Sequence, residues 1–301
     1  MQVLILGNSK DAHAKKVKQK LSDKGYSAHY LDTSLFPSSS SISWQPDLGE
    51  GYLHFSSGNK LAFKDVASVY WRNLNSILIP NLKDATLQRT AYNDSMSLLR
   101  TLIQALPARW VNSWAAYQFH KDKPLQLHKA AQLGVNIPVT LISNNPQEIQ
   151  QFARAQPQLI FKPVTGGVHT QWVTESLLEL ERLEKVLSLC PVTLQEYIPG
   201  TNIRTYVIGE SVYSAEIATN ALDFRSDKDA RLIPVELPPA IEEQSIAIAK
   251  AFFLEWTGID WRRKPTGEYV FLEANPSPMF LHFENQTGFP ITDKLVDLLV
   301  N

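Results

Sequence analysis

The stretch Gly258-Ile-Asp260-Trp-Arg-Arg-Lys-Pro-Thr-Gly267-Glu-Tyr-Val-Phe-Leu-Glu273-Ala-Asn275-Pro-Ser-Pro278 decides how the rest of the chain is read. Two runs, Ile259–Trp261 and Tyr269–Glu273, flank a turn around Pro265–Gly267, a pattern that predicts a β-hairpin. Glu273 and Asn275 stand two residues apart on its second strand and share a face, because side chains alternate along a strand. The turn folds the strand carrying Asp260 back beside them. Two carboxylates and an amide oxygen then converge, an all-oxygen environment suited to Mg²⁺, which is usually held by one or two carboxylates together with nucleotide phosphates. A plain hairpin with exposed polar residues is the alternative. Against it stands Glu273, which directly follows the apolar run Tyr269–Leu272, where a purely structural strand has little reason to place a carboxylate.

Working outward, Gln195-Glu196-Tyr197-Ile198-Pro199-Gly200 closes an apolar strand with a turn. An extended segment offers backbone N–H and C=O to an adenine edge, and Glu196 is able to accept from the exocyclic amine. A surface strand ending in Pro-Gly would look the same. Lys162 ends the strand Leu159–Lys162 beside the loop Thr165-Gly166-Gly167. An ammonium and oriented loop amides both favour anions, which makes phosphate the natural ligand; a lysine whose stem lies along the surface is the bland alternative.

The chain opens with Val3–Leu6, then a helical pattern through Val17 and Leu21 that stops at Lys24-Gly25, then the strand Ser27–Leu31. This is a βαβ unit with a parallel sheet. Alternating segments around Ile42–Trp44, Tyr52–Phe55 and Lys60–Phe63 suggest a small antiparallel addition, and Val66–Trp71 reads as another buried strand ending at Arg72. Helices are expected over about Leu82–Leu106, Lys121–Leu133 and Ile241–Thr257, with mostly strands from Val192 onward. The division that follows is an N-terminal domain over 1–111, a central α/β domain over 112–190 and a C-terminal antiparallel-sheet domain over 191–301.

Composition narrows the function classes. With Lys+Arg 29 against Asp+Glu 30 the formal charge is −1, so no global field draws the protein to nucleic acid or an anionic membrane. The single Cys190 can form neither an internal disulfide nor a cysteine metal cluster. No apolar stretch is long enough to span a bilayer, and the N-terminus lacks the layout of a signal peptide, so a cytoplasmic protein is expected. None of the 7 histidines shows HxxxH spacing, which leaves zinc without support, and Ser9 and Ser226 lack the context of a hydrolase nucleophile.

The ordered set Lys123, Lys162 with its Gly loop, Gln195-Glu196-Tyr197-Ile198, Asn202-Ile203-Arg204, Asp223-Phe224-Arg225-Ser226, Asp260 and Glu273-Ala-Asn275 resembles the ATP-grasp superfamily. The similarity is greatest to the branch holding the ribosomal S6 glutamate ligase and the glutathione synthetases. Ser9-Lys-Asp11-Ala-His13, Leu31-Asp32-Thr33, Val69-Tyr70-Trp71-Arg72 and Phe283-Glu284-Asn-Gln-Thr287-Gly288-Phe-Pro290-Ile291 resemble the microviridin-type (graspetide) peptide ligases. The resemblance implies an ATP-grasp fold of the α/β (α+β) class behind a pre-ATP-grasp domain. It implies that Lys123 and Lys162 contact the phosphates of ATP, that the Gly166-Gly167 loop closes over them, and that Gln195, Glu196, Tyr197, Ile198 and Asn202 hold the nucleoside. Asp260, Glu273 and Asn275 would bind Mg²⁺, taken as a pair of ions, while Arg204 and Arg225 would stabilise the phosphoryl group and an acyl-phosphate. Asn stands at 202 where related ligases often carry Asp, and at 73 where peptide-modifying relatives often show a second Arg. The implied activity is ADP-forming ligation of a carboxylate to an amine or hydroxyl on a carboxylate-bearing precursor peptide, with no nucleic acid or membrane partner and with assembly as a homodimer left open. Arg72, at the end of its strand, is expected to face the substrate. A small-molecule ligase and a non-catalytic ATP-grasp binding protein are the alternatives.

Overall fold

A computed structural model of the chain describes residues 1–165, 170–219 and 230–301. Gly166, Gly167, His169, Asp223, Phe224, Arg225 and Ser226 lie outside the described residues. In chain order the elements are β1 (Gln2–Leu6), α1 (Ala12–Asp23), β2 (Ser27–Leu31), β3 (Ser41–Gln45), β4 (Glu50–His54), β5 (Lys60–Ala62), β6 (Val66–Trp71), α2 (Ala85–Ala105), β7 (Arg109–Val111), α3 (Trp114–Lys121), α4 (Lys123–Gln132), β8 (Thr140–Ser143), α5 (Pro146–Ala155) and β9 (Leu159–Lys162). Then come β10 (Gln171–Trp172), α6 (Leu180–Leu187), β11 (Val192–Glu196), β12 (Thr201–Ile208), β13 (Ser211–Ala218), β14 (Arg231–Pro234), α7 (Pro239–Ala251), β15 (Trp256–Arg263), β16 (Tyr269–Asn275), α8 (Leu281–Thr287) and α9 (Ile291–Val300). Two compact units result. The first comprises Met1–Ala115, Leu254–Trp256 and Ser277–Asn301, the second Ala116–Phe253 and Thr257–Pro276.

In the first unit a sheet runs β2-β1-β6-β7 with parallel pairings. Val3–Leu6 are wholly buried, as befits an inner strand of a parallel sheet covered on both faces. Asp11 starts α1 by accepting the Ala14 N–H, and Val17 and Leu21, four residues apart, carry the helix face that is buried. The helix ends where Gly25 takes a φ of +82°, which costs an L side chain steric strain and glycine none. Helix α9 buries Ile291, Leu295, Val296 and Leu299, each worth about 1.5–3 kcal/mol of apolar transfer. The Glu284 carboxylate accepts from the Thr292 N–H at 2.7 Å and from its hydroxyl at 2.6 Å, so it caps α9 from outside. Lys20–Asp293 and Lys24–Asp297 align α1 with α9, and being exposed they orient more than they stabilise. The small antiparallel sheet β3-β4-β5 forms as expected.

The second unit holds two antiparallel-paired sheets. In the order β10-β9-β11-β8, Leu159, Val192 and Leu194 pack with Ile149 of α5 and with Leu183 and Leu187 of α6. The other sheet runs β14-β13-β12-β15-β16, with β16 at its edge. Two boundaries depart from the sequence pattern. The helix expected over Lys121–Leu133 begins at Lys123 as α4, Lys121 instead ending the separate helix α3, and the helix expected to reach Thr257 ends at Ala251. The second break has a physical cause: Trp256 to Ile259 are buried residue after residue, which a strand within a sheet satisfies and an amphipathic helix does not. The chain reverses through Phe253, whose φ is +61° although it is not glycine.

Candidate functional site

The hairpin predicted from Asp260 to Asn275 is present, and its register sets the chemistry. Asp260 pairs directly with Glu273, Ile259 with Ala274 and Gly258 with Asn275. The register shifts once, between Asp260 and Trp261, leaving Leu272 as an extra residue in β16. A bulge there bends the strand just before Glu273 and leaves the alternation of Glu273, Ala274 and Asn275 intact. Ala274 is buried while Glu273 and Asn275 emerge on the opposite face.

Two carboxylates directly opposite each other on adjacent strands repel. The sequence supplies the compensation from other elements. Arg204, on β12, donates through Nε to Asp260 at 2.8 Å, and Lys123, at the first turn of α4, reaches Glu273 at 3.1 Å. Burial works to raise the pKa of Glu273, yet the charge and hydrogen bond of Lys123, with the charges of Arg204 and Lys162, hold it below its ordinary value. The structure therefore brings together Lys123, Lys162, Arg204, Asp260 and Glu273. Among the described residues no group of three or more His, Cys, Asp or Glu side chains is placed to hold a metal. The donor set is two carboxylates and an amide, which fits a Mg²⁺ whose remaining ligands come from phosphate oxygens and water.

Edge strands expose backbone groups that need partners. On β16 these are met from within the second unit. Buried Gln126 of α4 accepts the Ala274 N–H through Oε1 at 3.1 Å and donates through Nε2 to the Ala274 carbonyl at 3.0 Å, acting as one rung of an additional strand. Asn136 accepts the Phe271 N–H at 2.8 Å, and the Thr257 hydroxyl donates to the Asn275 carbonyl at 2.8 Å. His120 brings Nδ1 within 3.2 Å of the Ala274 carbonyl and 3.3 Å of Lys123 Nζ. Burial and then the Lys123 charge push its pKa down to about 4, against the Ala274 carbonyl and Glu273, so it adds no charge at neutral pH. Sequence reasoning missed Gln126, Thr257 and His120, because nothing in an amphipathic helix marks an amide whose partner is a distant backbone.

Lys162 donates to the Gln195 carbonyl oxygen Oε1 at 2.8 Å, and buried Gln195 in turn donates to the Thr140 hydroxyl at 2.9 Å. Gln195 thus orients the lysine. In the following segment the Glu196 and Tyr197 N–H groups are engaged by the carbonyls of Val139 and Gln158, and the Glu196 carboxylate accepts the Val139 N–H at 3.2 Å. The Ile198 N–H donates to no described residue, although Ile198 is 4% exposed. Asn202 Oδ1 accepts from Arg262 at 2.8 Å.

Arg72 does not stand open toward a substrate. It is 6% exposed, its Nε lies 3.2 Å from Asp11, and Nη1 donates to the carbonyl and hydroxyl of Ser277 at 2.9 Å each. Burial raises the Asp11 pKa, but the Ala14 N–H and Arg72 outweigh it and leave the carboxyl below its usual value. His13, in the same cluster, has its pKa lowered to about 4 by burial and then by Arg72, with Asp11 opposing, and its Nδ1 accepts the Phe280 N–H at 3.3 Å. Arg72, held by Asp11, and His13 therefore fasten the Ser277–Phe280 segment inside the first unit. No helix among the described residues is long and apolar enough to cross a membrane.

Residues 2–118 match the MvdD pre-ATP grasp domain, and residues 120–299 match the RimK-like ATP-grasp domain. Among solved structures, the macrocyclase MdnC from Microcystis aeruginosa MRC, bound with the precursor peptide MdnA, is similar over 100% of both chains at 30% identity and a TM-score of 0.89. A RiPP-associated ATP-grasp ligase of Chryseobacterium gregarium, in complex with ADP and a leader and core peptide, is similar over 99% of this chain and 96% of that one, at 26% identity and a TM-score of 0.88. A probable alpha-L-glutamate ligase 2 of Shewanella amazonensis is 29% identical over 193 residues, 60% of this chain, and this chain spans 63% of that relative's length. The α/β class and the ATP-grasp architecture expected from the sequence are met. With a matched domain that takes in Lys123, Lys162, Arg204, Asp260 and Glu273, the chain belongs to the RimK-like ATP-grasp family.

Proposed function

We propose that this chain is a cytoplasmic ADP-forming ligase that activates a carboxylate of a precursor peptide with ATP and joins it to an amine or hydroxyl of the same peptide. The observation that carries this reading is the register pair Asp260–Glu273, flanked by Lys123 and Arg204 and lying in the field of Lys162. Two carboxylates kept side by side by three cations suit a site whose ligands are a divalent cation and phosphates. In this reading Lys123 and Lys162 bind the phosphates, and the Gly166-Gly167 loop covers them. Ile198 meets the adenine through its N–H, with Glu196 and Tyr197 beside it, while Gln195 orients Lys162 and Asn202 lies toward the ribose. Asp260, Glu273 and Asn275 would hold Mg²⁺, which when bound offsets negative charge on the transferring phosphoryl group.

Arg204 and Arg225 add fixed positive charge where the phosphoryl oxygens gather it. A carboxylate oxygen of the substrate attacks the γ-phosphorus and ADP leaves. The amine or hydroxyl then attacks the acyl carbon, phosphate leaves, and the nucleophile gives up one proton. Water has to be kept from the acyl-phosphate meanwhile. The likeness, over the full chain, to ligases solved with precursor peptides supports the peptide as substrate. Incubating the protein with ATP, Mg²⁺ and an acidic precursor peptide should yield peptide lighter by one water per bond, with ADP and phosphate released in equal amounts. Mild base cleaves an ester and spares an amide. Release of ADP with free glutamate and with no peptide would instead favour the amino-acid ligase reading; release with neither would sink the ligase.

A further inference from the structure

Between β11 and β12 the chain runs through Tyr197-Ile198-Pro199-Gly200, and one side chain from β15 holds it at three points. Arg262, 9% exposed, donates through Nε to the Ile198 carbonyl at 2.8 Å, through Nη1 to Asn202 Oδ1 at 2.8 Å and through Nη2 to the Tyr197 hydroxyl at 3.1 Å. Its guanidinium carbon also lies 5.6 Å from the centre of the Tyr197 ring. Beneath it the turn rests on backbone: Gly200 has a φ of +131°, and a Cβ there would overlap the Arg263 carbonyl. The adjacent Arg263 does something else, donating to Glu216 of β13 at 2.6 Å. A cavity of about 580 Å³ opens beside the latch, with Trp172, Tyr197, Asn202, Thr219 and Arg262 in its wall.

We infer that Arg262 is a positioning residue for base selection: by fixing the Ile198 carbonyl it aims the Ile198 N–H at the ring of the bound base. The inference rests on the nucleotide reading above. No described residue takes up the Ile198 N–H, on a residue only 4% exposed, and a ligand acceptor would satisfy it. Adenine presents a ring-nitrogen acceptor at its pairing edge, where guanine carries a ring N–H, so a fixed backbone donor donates to the first and opposes the second. Fixing matters because a donor free to turn away discriminates weakly. The guanidinium is suited to this as a planar fork with donors on all three nitrogens, whereas lysine offers a single point charge.

Adenosine, ADP and GDP titrated calorimetrically into the wild type, Arg262→Lys and Arg263→Lys test it. In Arg262→Lys, adenosine and ADP should weaken alike, by about tenfold, with GDP unchanged, so that the ADP-to-GDP preference falls about tenfold while kcat at saturating ATP stays within about twofold. Arg263→Lys should keep the wild-type preference. Asn202→Ala, which removes one partner of the latch and leaves the arginine, should lower the preference in the same direction by about threefold; it carries the test if Arg262→Lys does not fold. An unchanged preference in Arg262→Lys or in a sole surviving Asn202→Ala, a loss confined to ADP and absent for adenosine, or an equal loss in Arg263→Lys would overturn the role of Arg262. Wild-type protein that binds neither adenosine nor ADP would overturn the nucleotide reading beneath it.

Discussion

Replacing Gln126 by leucine should loosen β16 without touching a charged group. Leucine is close in size but leaves the Ala274 N–H, donated to Gln126 at 3.1 Å, without its acceptor. A buried donor so stranded costs about 1–3 kcal/mol. The Ala274 carbonyl loses one bond but retains the His120 ring nitrogen at 3.2 Å, so its loss is nearer 1 kcal/mol. Together these give about 2–4 kcal/mol, which for a domain of this size lowers the melting temperature by roughly 4–16 °C. Calorimetric melting of Gln126→Leu measures this directly. Because Ala274 separates Glu273 from Asn275, the Mg²⁺ concentration needed for half-maximal ATP turnover should rise as well, with turnover recovering at excess Mg²⁺. A melting temperature within about 2 °C of wild type would refute the idea that Gln126 stands in for a neighbouring strand.

Arg72→Met breaks the buried pair with Asp11 and should cost about 3–5 kcal/mol in denaturant unfolding; full stability combined with a raised peptide KM would return Arg72 to substrate recognition. His13 is held near pKa 4 in the fold against 6.5 for the free side chain, so the unfolded chain takes up the proton first as pH falls. Its contribution is intact above pH 6.5 and is lost progressively toward pH 4; His13→Asn should therefore show a shallower loss of stability between pH 7 and 5 than wild type, and parallel slopes would dismiss the effect. Lys162→Ala should weaken ATP far more than adenosine by calorimetry, since the lost contribution is charge against phosphate; equal weakening would move Lys162 away from the phosphates.

What the sequence revealed and what it concealed divide along physical lines. The fold-back of the Asp260 strand beside Glu273, and the shared face of Glu273 and Asn275, were readable because a two-residue period is written in the order of the residues and the Pro265–Gly267 turn sets the fold-back, whereas the bulge at Leu272 that puts Asp260 directly opposite Glu273 was not. The end of α7 was not, because no Gly or Pro marks Ala251 and the reversal falls on Phe253, where burial of Trp256 overrides local preference. Arg72 and Arg262 show a second limit. An arginine at a strand end reads alike whether it awaits a substrate or clamps a carbonyl, and only the distances to Ser277 and Ile198 separate the two. Gln126 shows a third: its partner lies 148 residues away in the chain.

The first unit is discontinuous in sequence, and this has a consequence for its synthesis. Its sheet core, β1 and β6, leaves the ribosome early, while α9, which covers that core with Ile291, Leu295, Val296 and Leu299, begins about 175 residues after the chain departs at Ala116. At roughly 5–20 residues per second that is a delay on the order of ten to thirty seconds. During it the nascent N-terminal sheet carries an uncovered apolar face, and the second unit, contiguous but for one short excursion, has time to form ahead of it. Order of emergence and order of completion are thus reversed: the half that is made first is finished last.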